Sequence, residues 1–131
     1  ETSLAEVCYR EKIGLLAYSP LAFGHLTGKY LNDPAAPGRL SQWPAFGQRY
    51  CKPNVVPAVT AYAALAKKYE LTLAQLALGF VRSRWFVSST IIGASSLAQL
   101  QETLPATRTT ISDELFDEIN AIHLKYTNPA P

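Results

Sequence analysis

Residues 13–30 read Ile13-Gly14-Leu15-Leu16-Ala17-Tyr18-Ser19-Pro20-Leu21-Ala22-Phe23-Gly24-His25-Leu26-Thr27-Gly28-Lys29-Tyr30. The first six residues are an almost unbroken apolar run, the pattern of a strand buried on both faces in a parallel sheet. Ser19-Pro20 ends that strand, and a loop carrying Gly24, Gly28 and Lys29 follows. Ligands of α/β folds sit at the carboxyl ends of strands. Exposed backbone N–H groups and a lysine in such a loop suit a phosphate. A tight turn that needs glycine accounts for the same residues, so both readings stand. A P-loop does not fit, because three residues rather than four separate Gly24 from Gly28 and Tyr30 follows Lys29.

A second segment repeats the arrangement. Ser89-Thr90-Ile91-Ile92 reads as another buried strand, ending at Gly93, and Ser96 with Gln99 has the spacing of a capping box for a helix through Glu102. Helix N-termini attract anions through unpaired N–H groups and the helix dipole, and Ser95 and Gln99 add neutral donors. An ordinary capped helix is the alternative. At the same edge of one sheet, the two segments together could be spanned by a phosphate-rich ligand such as a dinucleotide.

The spaces between and around them read as helices. Residues 2–11 suit the end of an amphipathic helix. Val59, Tyr62, Ala63, Leu65 and Ala66 form a stripe in a helix over 56–69. Thr72 with Gln75 has capping-box spacing for a helix over 73–83. Ser112, Asp113 and Glu114 open a last helix to about residue 124. Residues 31–54, broken by Pro34, Pro37, Gly38, Pro44, Gly47 and Pro53, form a long loop whose aromatics Trp43, Phe46 and Tyr50 argue against a simple linker. Residues 125–131 form a tail. Strands alternating with helices predict a parallel α/β fold in one domain over 1–131. Two strands do not make a stable parallel sheet, so the pattern demands neighbours that the chain does not supply.

The composition agrees with a globular core. Of 131 residues, 48% are apolar and 17% charged, with a net charge of +2 spread along the chain. This excludes extended disorder, and the absence of a basic block argues against nucleic acid. The most apolar run, Leu71 to Val81, is too short to cross a bilayer, so no membrane partner is expected. Cys8 and Cys51 lie in no metal-binding spacing and read as free thiols of a reducing, cytoplasmic compartment. The chain has no methionine and begins at Glu1, which leads to the expectation that something is missing upstream, either because the chain was cut or because the sequence is the observed part of a longer one.

YSPLAFGHLTGKY (18–30) resembles the seventh-strand loop of the aldo-keto reductases, and IIGASSLAQLQET (91–103) resembles their eighth-strand segment. The branch that fits best contains the Tas-like bacterial reductases and the potassium-channel beta subunits. The resemblance implies the C-terminal portion of a (β/α)8 TIM barrel, incomplete as given, and an NADPH-dependent oxidoreductase acting on an aldehyde or ketone. It matches Tyr18 to the aromatic against the nicotinamide ring, and Ser19, Pro20, Leu21 and Gly24 to the pyrophosphate loop. Lys29 and Arg39 match phosphate-holding cations. Gly93, Ser95, Gln99 and Glu102 match the group around the adenosine and its 2′-phosphate. Thr103 stands where the family usually has an asparagine and loses the amide's paired geometry. The family's catalytic tyrosine, lysine, aspartate and histidine have no match here; His25 and His123 read as a loop and a helix-end residue. The implied partners are a carbonyl substrate and the missing N-terminal half barrel. On its own the chain would expose a sheet edge and favour self-association. A binding or regulatory half-barrel without catalysis, or an inactive truncated remnant, are the alternatives.

Overall fold

The structure is a computed structural model describing residues 2–130. Glu1 and Pro131, the last residue of the expected tail, lie outside the described residues, and so do the side chains of Thr2 and Phe46. Helix α1 (Thr2–Glu11) leads into strand β1 (Leu15–Ala17). The following segment holds one-turn helices α2 (Lys29–Asn32) and α3 (Arg39–Gln42), flanked by 3-10 turns Ala22–Thr27 and Pro44–Cys51. Helices α4 (Val55–Lys68) and α5 (Leu73–Ser83) lead to strand β2 (Val87–Thr90). Helix α6 (Leu97–Thr103), a 3-10 turn (Leu104–Arg108) and helix α7 (Asp113–Lys125) complete the order.

The two strands pair in parallel, Leu15 with Val87, Leu16 with Ser89 and Ala17 with Thr90. The chain therefore leaves both strands at the same edge, as the alternation of elements required. Ser88 is skipped by the irregularity between Leu15 and Leu16. Its hydroxyl lies 1.5 Å from where a Cβ on Gly14 would stand, which is why position 14 carries none. Strand β2 sits two residues earlier than the sequence predicts. Its ladder is limited by the three residues of β1, and the Ile91 N–H donates to Ala17 O (2.7 Å) at its end.

The expectation that both strands are buried on both faces is corrected by the structure. Ile13, Leu16, Tyr18 and Ile91 are all more than half exposed. Helix α5 packs against β2, but among the described residues nothing covers the free edges. The core instead lies between helices: Val59, Leu65 and Ala66 of α4 meet Leu73 and Leu76 of α5 and Leu115 and Ile119 of α7. Burial of these side chains stabilises by about 25 cal/mol per Å² of apolar surface removed from water. Residues 31–54 also depart from the expected irregular loop. Their prolines and glycines set the boundaries of short helical turns, with Pro44 opening one and Gly38 preceding another, because proline suits a first helical position.

Helix ends follow the sequence closely. Thr72 Oγ1 accepts from the Gln75 N–H (3.1 Å) while Gln75 Oε1 accepts from the Thr72 N–H (2.9 Å), closing the expected capping box. Helix α4 terminates through Glu70 at φ 55°, with the Leu71 N–H donating to Ala66 O at 2.9 Å. Glycine normally holds this left-handed position. Glu70→Gly is therefore expected to raise stability by about 1 kcal/mol, and Thr72→Ala to lower it by about 1 kcal/mol. Urea midpoints of the two variants check both signs.

Candidate functional site

Strand β1 carries the chain to Tyr18, whose ring is 75% exposed beyond the ladder. The backbone then turns sharply. Ser19, Ala22 and Phe23 adopt φ of 54°, 47° and 58°, and Gly24 follows at 93°. Each non-glycine residue in this region costs on the order of 1 kcal/mol, and such strain persists only where surrounding contacts enforce it. Here the enforcing bonds are local. The Ala22 N–H donates to Ser19 O, the Gly24 and Leu26 N–H groups both donate to Leu21 O, and the Thr27 hydroxyl donates to Gly24 O (2.8 Å). Gly28 (φ 82°) reverses the chain into α2 and so aims Lys29 back at the loop.

Lys29 Nζ donates to Pro37 O at 3.0 Å and lies 4.7 Å from the Tyr30 ring centroid. Two glycines make room for it. A Cβ on Gly24 would stand 3.1 Å from Lys29 Cε, and one on Gly38 would stand 2.4 Å from Lys29 Nζ and 2.6 Å from Tyr30 Oη. The next residue, Arg39, opens α3. Its guanidinium lies 5.6 Å from the Phe23 ring centroid, and its Nη2 is 3.8 Å from the Cβ position of Gly93. Arg39 thus joins the loop after β1 to the loop after β2.

Beyond Gly93, the Ser95 N–H and hydroxyl both donate to Gln99 Oε1 (2.8 and 3.1 Å), while the Gln99 N–H donates to Ser96 Oγ (3.3 Å). Only one arm of the expected Ser96–Gln99 capping box forms, because Ser95 takes the Gln99 side chain. Glu102 lies exposed on α6, one turn beyond Gln99. Thr103 is buried, and its hydroxyl donates back to Gln99 O and Leu100 O.

The structure thus places Ser19, Pro20, Leu21 and Gly24 in the strained loop, Lys29 and Arg39 at the starts of α2 and α3, Gly93 beside Arg39, Ser95 and Gln99 around the start of α6, and Glu102 near its end. Tyr30 and His25 were not among the residues that the sequence singled out for this site. Both are nine-tenths buried, and Tyr30 Oη and His25 Nε2 have no hydrogen-bond partner. An unpaired buried polar atom costs about 1–3 kcal/mol, and Tyr30 Oη beside Lys29 is such an atom. The only signal in the sequence was the adjacency of Tyr30 to Lys29. A cavity of about 680 Å³ lies on the other side of Pro20 from these cations. Pro20, Leu26, Leu76, Phe80 and Ile119 wall it, its lining is mainly apolar, and none of the site's cations reaches it. Among the described residues no cluster of metal-ligating side chains exists, Cys8 and Cys51 are unpaired, and no helix is long and apolar enough to cross a membrane.

The Aldo/keto reductase family model matches residues 1–124. The chain belongs to this family. Its fold is a (β/α)8 barrel, and two adjacent parallel strands with flanking helices are consistent with part of one. Protein tas of Escherichia coli is 42% identical over 131 residues, covering 100% of this chain and 38% of that protein. An aldo-keto reductase of Babesia bovis is 40% identical over 136 residues, covering 98% of this chain and 48% of its own length. A probable voltage-gated potassium channel subunit beta of Arabidopsis thaliana is 36% identical over 110 residues, 81% of this chain and 33% of that protein. The chain therefore spans less than half the length of these relatives.

The glycine cradle yields a direct expectation. Gly24→Ala must hold φ 93° and displace Lys29, at a cost of about 1 kcal/mol or more. A thermal melt that matches the parent protein would refute the requirement for glycine there.

Proposed function

We propose that this chain is the cofactor-holding, C-terminal portion of an NADPH-dependent aldo-keto reductase, which transfers hydride to an aldehyde or ketone. The observation that carries the reading is Arg39, which spans from the strained loop after β1 to Gly93 at the end of the second strand segment. A dinucleotide has phosphates that need cations at both places.

The residues present fit such a ligand. Tyr30 Oη is buried without a partner beside the Lys29 ammonium, in a space that a side chain at Gly38 would fill. Charge-assisted bonds from Lys29 and Arg39 suit phosphate oxygens, and the elements carrying them hold no carboxylate. The nicotinamide supplies the hydride when bound, and the protein's part is to hold and orient it. Tyr18 presents an exposed ring at the strand end, suited to stack on a planar group. Ser19, Pro20, Leu21 and Gly24 line the pyrophosphate. Gly93, Ser95, Gln99 and Glu102 hold the adenosine end, where Arg39 beside Gly93 supplies a cation for the 2′-phosphate of NADP. Thr103, with its hydroxyl turned into its own helix, shapes this end without donating to the base. The proton donor and its partners come from outside these 131 residues. The rest of the barrel covers the exposed Ile13, Leu16, Ile91 and Ile92, and the free thiols suit a cytoplasmic enzyme.

A regulatory reading, in which nucleotide binding is kept without turnover, is favoured only by the similarity to a channel beta subunit. In the intact protein, Lys29→Ala and Arg39→Ala are each expected to weaken NADP+ binding by about tenfold, the loss of one charge-assisted bond, and Tyr18→Ala to lower turnover. Calorimetric titration with NADP+ and a steady-state assay with a generic aldehyde check this. Unchanged affinity in both charge variants, or no NADP+ binding by the parent, refutes the cofactor reading. Binding without turnover favours the regulatory one.

A further inference from the structure

We propose that His25 is a pH-sensitive positioning residue that holds the phosphate-facing side chains in place only while its ring is neutral. The inference rests on the nucleotide reading above for its effect on binding, but its structural basis is independent. The His25 ring sits between Tyr30 (centroids 5.0 Å apart, planes at 51°) and Tyr50 (5.3 Å, 30°). Tyr50 in turn meets Phe23 (5.4 Å), and Phe23 lies under Arg39. One imidazole thus fastens Tyr30, on the Lys29 side, to the Pro44–Cys51 turn, and through Phe23 to Arg39. Removing it frees both cations' supports.

The surroundings of this ring are one-sided in charge. Helix α2 presents Lys29 and Tyr30, and α3 presents Arg39. The Pro44–Cys51 turn carries Arg49, Tyr50 and Cys51, and α5 carries Arg82 as its titratable group. None of these elements, nor the ring's own turn, contains a carboxylate. Asp33, just past α2, is exposed and accepts from the Ala35 N–H at 2.9 Å. The ring is nine-tenths buried and its Nε2 has no acceptor, so a proton there would be an uncompensated buried charge beside Lys29.

Burial first, and then the Lys29 ammonium, hold the imidazole below its ordinary value. The folded state therefore binds fewer protons at His25 than the unfolded state does. The ring's contribution is complete above the unfolded value of about 6.5 and is lost as the pH falls below it. A charged ring relieves its position by leaving the tyrosine sandwich for water. Tyr30 and the segment bearing Arg39 then loosen together.

The test compares the intact parent protein with His25→Phe, which keeps a ring but cannot titrate, and His25→Ala, which keeps neither. NADP+ affinity is measured at pH 7.5 and pH 5.5. The 2′-phosphate itself titrates in this range, so the comparison is between proteins. The parent is expected to lose about threefold or more in affinity on acidification beyond the loss in His25→Phe, following the fall in the competent fraction. His25→Ala is expected to bind more weakly than His25→Phe at pH 7.5. Equal pH ratios in the parent and His25→Phe overturn the proposal. The nucleotide-free protein gives a second readout by NMR. Ring signals of Tyr30 and Tyr50 should shift with the same midpoint as the His25 ring. Titration of His25 without movement of those tyrosines overturns the proposal even if the protein binds no nucleotide, an outcome that would sink the cofactor reading separately.

Discussion

The parallel pairing of Leu15–Ala17 with Val87–Thr90 is the constraint on which the rest depends. It is short, but a parallel ladder sends both strands out at one edge, so the loop at 18–30 and the segment at 91–99 must emerge side by side. An antiparallel pairing would separate them by the length of the sheet. The approach of Arg39 to Gly93 follows from this common exit. Gly14 belongs to the same constraint, because the bulge that places Ser88 leaves no room for a Cβ at position 14.

The ladder is not held by its own burial. Helices α4, α5 and α7 make the core, and the sheet borrows stability by packing on α5. That division explains the exposed Ile13, Leu16 and Ile91 on strands whose composition is that of an interior. It also explains how the loop after β1 can hold three consecutive left-handed residues. The strain sits next to a rigid helical body, with Leu26 and Leu31 packed against its core. Strain held in this way fixes the backbone that carries Lys29 and Tyr30.

Much of this was legible in the sequence because the signals are local. The Thr72–Gln75 box, the Ser112 cap and the stripe on α4 depend on spacing alone, and each appears in the structure at the expected residues. The register of β2 was not legible, since Ile91-Ile92 is more apolar than Val87-Ser88 and ladder length is set by the partner strand. The short helices within 31–54 were hidden because prolines and glycines signal both breaks and starts. Cations at Lys29 and Arg39 could be named from resemblance, but the approach of Arg39 to Gly93 joins residues 54 positions apart, which no local pattern encodes. Tyr30 and His25 escaped for a related reason. Their roles come from burial without a hydrogen-bond partner, a property of packing rather than of residue type.

The central claim is that the two strand-end segments form one binding site. The most direct test is an NMR titration of the isotopically labelled intact protein with NADP+, following backbone amides of residues 19–30 and 93–99. The account predicts that both sets move together and saturate with a single Kd. Movement of only one set, or two sets saturating at different concentrations, would contradict it.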